Sequence, residues 1–189
     1  STVAKKIANS LGYVYIDTGA MYRSVTYFGQ KQNDGEGIDV MQLVDSLSQL
    51  KIHFENSEQG QQTFLNDENV TVKIREAKVN NAVSDIASVK EIRDFLVTQQ
   101  RQMGKDKGIV MDGRDIGTVV FPEAESKFFL TASPEIRAKR RHKEQLEAGN
   151  LEPYEAVLEN VKARDHQDST RLINPLRKAE SAVEIEVSN

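Results

Sequence analysis

The sequence contains no cysteine, only four prolines, and aromatic side chains at just 6% of its 189 residues. Without cysteine there is no disulfide framework, no thiolate zinc site and no cysteine nucleophile. The absence also fits a reducing compartment, so a cytoplasmic location is expected. No apolar run approaches the roughly 18 residues of a bilayer-crossing helix, and no secretory signal pattern is visible. Acidic residues outnumber basic ones, 29 to 25, for a net charge of −4. That excess argues against a globally basic nucleic-acid binder, though a local basic patch remains open. No Pro- or Gly-rich linker, repeat or low-complexity stretch divides the chain. Its length suits one domain with a sizeable core.

What is present alternates between helical and strand patterns. Apolar residues Val3, Ala4, Ile7, Ala8 and Leu11 fall at helical spacing, and Gly12 is a good stop. Tyr13–Ile16 reads as a short strand, and Asp17 or Thr18 can cap a helix over about 20–32. Another short helix is expected over 40–50. Between 51 and 73, β-like runs at 51–54, 62–65 and 70–72 alternate with turn-rich segments, which reads as a small antiparallel insert. Helices follow over 74–87 and 89–103. Apolar runs at 108–112, 127–131 and 182–187 read as buried strands, and helices over 134–148 and 153–166 each begin with proline. Strands alternating with helices predict an α/β fold with a parallel sheet flanked by helices.

Five stretches carry charge or hydroxyls in patterns that suit phosphate chemistry, and each also has a plainer reading. Ser1-Thr2 leads a helix, where a hydroxyl can ligate Mg²⁺ or simply cap. Asp17-Thr18-Gly19-Ala20-Met21-Tyr22-Arg23 delivers a polar turn and then a guanidinium one turn into a helix, which suits an anion. Asp112-Gly113-Arg114-Asp115 follows a buried strand, where α/β sheets place ligands; the alternative is a tight turn with a local ion pair. Arg137, Arg140 and Arg141 lie in a run with five cations in seven residues. They are either a solvated face or a clamp on a transferring phosphoryl group. Arg164, Asp168 and Arg171 share a face if their helix continues, as a ligand contact or as an intrahelical salt-bridge ladder. Arg93 reads equally well as a surface residue. His53 reads as structural, and Tyr13, Tyr15, Tyr22 and Tyr27 read as core or edge packing.

Taken together, STVAKKIA (1–8), DTGAMYR (17–23), NNAVSDIA (80–87), DGRDIGTVVFP (112–122) and RDHQDSTR (164–171), with Asn174-Pro175-Leu176 beyond, closely resemble the bacterial cytidylate kinases, nucleoside-monophosphate kinases of the P-loop class. The resemblance spans essentially the whole chain. It implies a three-layer P-loop kinase fold as a single domain over 1–189. Within it, a monophosphate-binding region would cover about 18–103, with its β insert at about 51–73, and a lid about 136–151. It also implies transfer of the ATP γ-phosphoryl group to CMP or dCMP with Mg²⁺, in pyrimidine nucleotide metabolism. The acceptor is already an anionic phosphate oxygen, so catalysis needs alignment and charge neutralisation rather than a strong base.

By the same resemblance, Ser1 would ligate Mg²⁺, with Asp112 near it, and Ser1 and Thr2 would meet the nucleotide cofactor. Arg23, Arg114 and Arg171 would hold the acceptor phosphate. Arg137, Arg140 and Arg141 would belong to the lid over the ATP phosphates. Asp115 could accept from the cytosine amino group and Arg93 donate to the ring acceptors, with Thr18 adding a contact; Ser84, Arg164 and Asp168 would surround the ribose. Thr18 stands where serine is common in the family. The family's Gly-rich loop, its lysine and the preceding strand do not occur in this sequence, nor does the helix after the last strand. About 15–20 further N-terminal residues are therefore expected in the natural protein, and inactivity without them. Partners would be small-molecule nucleotides, with no nucleic acid or membrane, and a monomer is expected. Two rivals stay open: a P-loop kinase for UMP or a hydroxylated metabolite, and a non-catalytic nucleic-acid binder using residues 137–143.

Overall fold

The computed structural model describes residues 2–57, 60–147, 149 and 151–188. The chain divides into two compact units, Ser1–Ile116 and Gly117–Asn189.

The first unit opens with α1 (Thr2–Leu11). It stops at Gly12, whose φ of +66° is left-handed and costs glycine little. β1 (Val14–Asp17) follows and pairs in parallel with β5 (Ile109–Asp112), in a register that sets Tyr15 beside Val110 and Asp17 beside Asp112. α1 lies against this pair. Its small residues Ala4 and Ala8 let the helix approach Tyr15 closely. The opposite face of the pair, through Ile16 and Met111, belongs to the main core.

That core is built around α2 (Thr18–Gln32), α4 (Ala77–Ile86) and α5 (Lys90–Met103). Met21, Val25, Ile74, Ile92 and Leu96 are fully buried there, each contributing on the order of 1.5–3 kcal/mol through its apolar surface. The expected helix over 40–50 is instead α3 (Val40–Asp45) followed by a 3₁₀ turn at Leu47–Gln49. The insert is antiparallel as expected, with β2 (Ile52–Ser57), β3 (Gly60–Leu65) and β4 (Glu68–Asn69) in sequential order. Its third strand lies at 68–69 rather than 70–72. Asn66 and Asp67 both take positive φ, and that tight two-residue turn starts the return strand at once. A 3₁₀ turn at Lys73–Arg75 then separates the insert from α4, which begins at Ala77 rather than 74.

The second unit pairs β6 (Phe128–Thr131) in parallel with β7 (Val183–Glu186). It also folds α6 (Pro134–Glu147) against α7 (Tyr154–Thr170). The two helices run antiparallel: Arg137 meets Asp165, Arg141 meets Asn160 and Gln145 meets Glu152. Their shared core is small, Ala138, Val157 and Val161 flanked by Tyr154 and Leu158. Residues Ile116–Val120 form one wide helical turn of the π type. Such turns recur at functional sites.

Candidate active site

In the first unit, the carboxyl ends of β1 and β5 bring the polar turns together, the place where parallel sheets present ligand sites. Asp17 caps α2, accepting from the Ala20 amide at 2.9 Å, and its other oxygen lies 3.4 Å from Arg23. The half-buried Arg23 is thus oriented by the cap of its own helix. Thr18 is buried and donates its hydroxyl to the Asp112 carbonyl at 2.7 Å. That bond requires Gly113: a Cβ there would collide with the Thr18 hydroxyl and sit 2.8 Å from the Ile116 side chain. The Asp112 side chain in turn accepts from the Tyr15 hydroxyl at 2.8 Å. Burial, aided by the charges of Asp17 and Asp112, pushes the Tyr15 phenol far above its usual range, so it stays a donor.

One turn beyond Asp112, Asp115 forms a buried ion pair with Arg93 of α5, 22 residues away in sequence. Arg93 is 1% exposed and Asp115 5%. The Arg93 guanidinium also donates to the Ala87 carbonyl at 2.9 Å and lies 5.3 Å from the centre of the Tyr22 ring. Its Nε–H is buried without a hydrogen-bond partner. A guanidinium has five N–H donors in a fixed plane, so the pair is a rigid, partly committed donor–acceptor edge. The reading of Arg93 as a surface residue is corrected: the helical spacing of Ile92, Leu96 and Gln100 places it on the buried face of α5. Ser84 lies half-buried on α4, and Arg114 is exposed.

The second unit holds the remaining arginines. Arg137 makes a two-pronged pair with Asp165, at 2.8 and 2.5 Å, and donates to the Ala132 carbonyl. The Asp165 bonds hold its guanidinium pKa above the ordinary value. Arg140 is exposed and donates to the carbonyls of Val187 and Ser188, while Arg141 reaches Asn160. α7 ends at Thr170, so Arg171 caps the helix rather than extending it. It still pairs with the buried Asp168 at 3.2 Å and donates twice to the Asn174 carbonyl. Arg164 is half-buried on the same helix. Thr2 is exposed at the start of α1, and Ser1 lies outside the described residues.

Four contributors escaped the sequence reading: Tyr15, Tyr22, Asp165 and the Asn174 carbonyl. Tyr15 carried a usable signal, since it stands two positions before Asp17 on a strand and so shares its face. The other three are visible only once the helices pack. No helix among the described residues is long and apolar enough to cross a membrane. His53 stacks on Phe64 with ring centres 5.0 Å apart, as a structural residue would.

The chain is matched over residues 1–189 by the family model described as cytidylate kinase. Among curated relatives, the cytidylate kinase of Bacteroides thetaiotaomicron is 48% identical over 193 residues, spanning all of this chain and 84% of that protein. That of Parabacteroides distasonis is 51% identical with the same coverage. That of Streptococcus pyogenes serotype M4 is 50% identical over 184 residues, spanning 97% of this chain and 81% of that protein.

Proposed function

The chain belongs to the cytidylate kinase family, and from that premise we propose how its own residues divide the work. The reaction is transfer of the γ-phosphoryl group of ATP to CMP or dCMP, giving CDP or dCDP.

The observation that carries the division is the buried Arg93–Asp115 pair. Cytosine presents an amino donor beside ring acceptors. Asp115 accepts from the amino group, and Arg93 donates to the acceptors through N–H groups not committed to Ala87 or Asp115. Uracil would set a carbonyl against Asp115 and a ring N–H against Arg93. Leaving such buried partners unmatched costs on the order of 1–3 kcal/mol for each group. Because Ala87, Tyr22 and the pair itself hold the guanidinium, the edge is ready before the base arrives. Thr18 is already engaged with the Asp112 carbonyl. Its role is to fix the strand-to-helix turn, and any contact with the base is made by its oxygen as acceptor.

Arg23 and Arg114 are assigned to the acceptor phosphate, as is Arg171, with Ser84, Arg164 and Asp168 assigned to the ribose. Arg137, Arg140 and Arg141 are assigned to the ATP phosphates. In the structure their partners are carboxylates, amides and carbonyls, oxygen acceptors that phosphate oxygens can replace. Charge neutralisation by such groups is the main protein contribution to phosphoryl transfer.

Mg²⁺ fits the donors present. Among the described residues there is no cluster of three or more His, Asp or Glu that could cage a metal. Mg²⁺ characteristically uses one or two carboxylates together with substrate phosphates and water. Asp112 would hold it, directly or through water, and the ion when bound neutralises the phosphate oxygens. No general base is assigned. A cytoplasmic setting, in keeping with the lack of cysteine, and nucleotide rather than nucleic-acid partners, in keeping with the acidic balance, complete the proposal, together with the expectation of a monomer.

The test is a coupled assay of the full-length protein with ATP and Mg²⁺ on CMP, dCMP, UMP and AMP. We expect CMP and dCMP to be turned over with kcat/KM at least about 100-fold above UMP and AMP. UMP or AMP at rates matching CMP would refute the base-selection argument.

A further inference from the structure

We propose that Tyr15 is a positioning residue for phosphoryl transfer: its hydroxyl, donating to Asp112, sets the orientation of the carboxylate that would hold Mg²⁺. The inference rests on the reading of Asp112 given above and extends it to a side chain that touches neither substrate nor metal.

The geometry favours this over simple packing. Tyr15 is 6% exposed, its ring enclosed by Ala4, Ala8 and Val110. The Lys5 ammonium lies 5.5 Å from the ring centre. A phenol held this way has no rotamer freedom left, so its hydroxyl is a fixed point. From that point it reaches Asp112 Oδ1 at 2.8 Å. The Asp112 backbone is pinned separately, by the Thr18 hydroxyl on its carbonyl. Asp112 is therefore clamped at main chain and side chain by residues only three positions apart, on β1 and at the start of α2. Its register partner Asp17 carries the same charge on the adjacent strand, but is tied to the Ala20 amide and Arg23. Two like charges at adjacent strand ends would otherwise turn away from each other. The Tyr15 hydroxyl opposes that drift for Asp112. Outer partners of this kind orient metal-side carboxylates, and their removal typically costs 10–100-fold in metal affinity or activity.

Tyr15→Phe, made in the full-length protein, keeps the ring and removes the donor. Its readouts are Mn²⁺ affinity measured by electron paramagnetic resonance with the β,γ-imido analogue of ATP present, the Mg²⁺ concentration for half-maximal turnover, KM for CMP and the melting temperature. We expect Mn²⁺ affinity to fall and the Mg²⁺ requirement to rise, each about 10-fold or more, with KM for CMP and the melting temperature near wild type. Tyr15→Leu, which also removes the ring, should melt lower yet weaken Mn²⁺ binding no further than Tyr15→Phe. Wild-type Mn²⁺ affinity and Mg²⁺ dependence in Tyr15→Phe, with both lost in Asp112→Asn, would overturn the positioning role and leave Asp112's own role intact. Wild-type behaviour in Asp112→Asn would overturn both.

Discussion

Arg93 of the first unit and Arg137 and Arg140 of the second place the same kind of side chain in opposite surroundings. In the first, the decisive arginine is Arg93, fully buried and held by a carboxylate, a carbonyl and an aromatic face. In the second, Arg137 and Arg140 are partly or largely exposed and rest on oxygen acceptors at the surface, beside the small apolar cluster of Ala138, Val157 and Val161. A buried guanidinium costs several kcal/mol to desolvate and repays it only with tight geometry, so it suits discrimination between bases. An exposed one exchanges partners cheaply, so it suits charge that must be handed to phosphates during turnover. Under the division of roles proposed above, the burial of Arg93 goes with base discrimination and the exposure of Arg137 and Arg140 with phosphate handling.

The largest effect that would break this contrast concerns the buried side. Arg93→Met removes the guanidinium paired with the buried Asp115, and unfolding by urea should show a loss of about 3–5 kcal/mol; a loss under about 1 kcal/mol would place Arg93 with the surface arginines. Next comes the exposed side. Arg137→Ala should lower kcat by about 100-fold with KM for CMP little changed, while costing no more than about 1 kcal/mol of stability. A variant that unfolds as readily as Arg93→Met would erase the distinction. Gly113→Ala drives a methyl group into the Thr18 hydroxyl and the Ile116 side chain. The overpacking should cost about 1–3 kcal/mol in thermal or chemical unfolding.

The smallest effect comes from the insert, where Glu68 accepts from Lys31, Lys73 and Tyr27. The hydrogen bonds from Lys31 and Lys73 hold its carboxyl at about 2, below the usual carboxylate range. Its folded pKa is thus depressed, and its contribution to stability is full above the unfolded value and lost as pH falls toward about 2. Glu68→Gln should therefore melt slightly below wild type at pH 7. The gap should close as the pH is lowered through the carboxylate range and narrow in 1 M salt. A gap that stays constant with pH would remove Glu68 from the account.

Much of this architecture was legible beforehand, for local reasons. Helical spacing from Val3 to Leu11 with Gly12 behind it, the Asp17 cap and the prolines before α6 and α7 are short-range signals, and the helices lie where those signals point. The third strand of the insert turned on the positive-φ pair Asn66-Asp67, which the β-branched run at 70–72 outweighs in sequence, and the start of α4 at Ala77 on the 3₁₀ turn at Lys73–Arg75. The candidate residues could be named from the sequence and the resemblance, but their states could not. Asp115 and Arg93 were both marked from sequence, yet nothing local says that an arginine on Glu91-Ile92-Arg93-Asp94 is 1% exposed. That follows from α5 packing its Ile92–Leu96 face inward, a tertiary fact. Tyr15 reads as packing from sequence because its ring is indeed packed; its hydroxyl finds Asp112 only when β5 is laid alongside β1. For the same reason Asp115→Ala is expected to damage the fold as well as the preference, since it strands Arg93.

The most direct measurement is the ratio of kcat/KM for CMP to that for UMP in Asp115→Asn against wild type, with the fold verified by its melting curve. Asparagine keeps the shape but can turn a donor toward the uracil carbonyl. The account predicts that the ratio falls by about 10-fold or more. An unchanged ratio in a folded Asp115→Asn enzyme would contradict it.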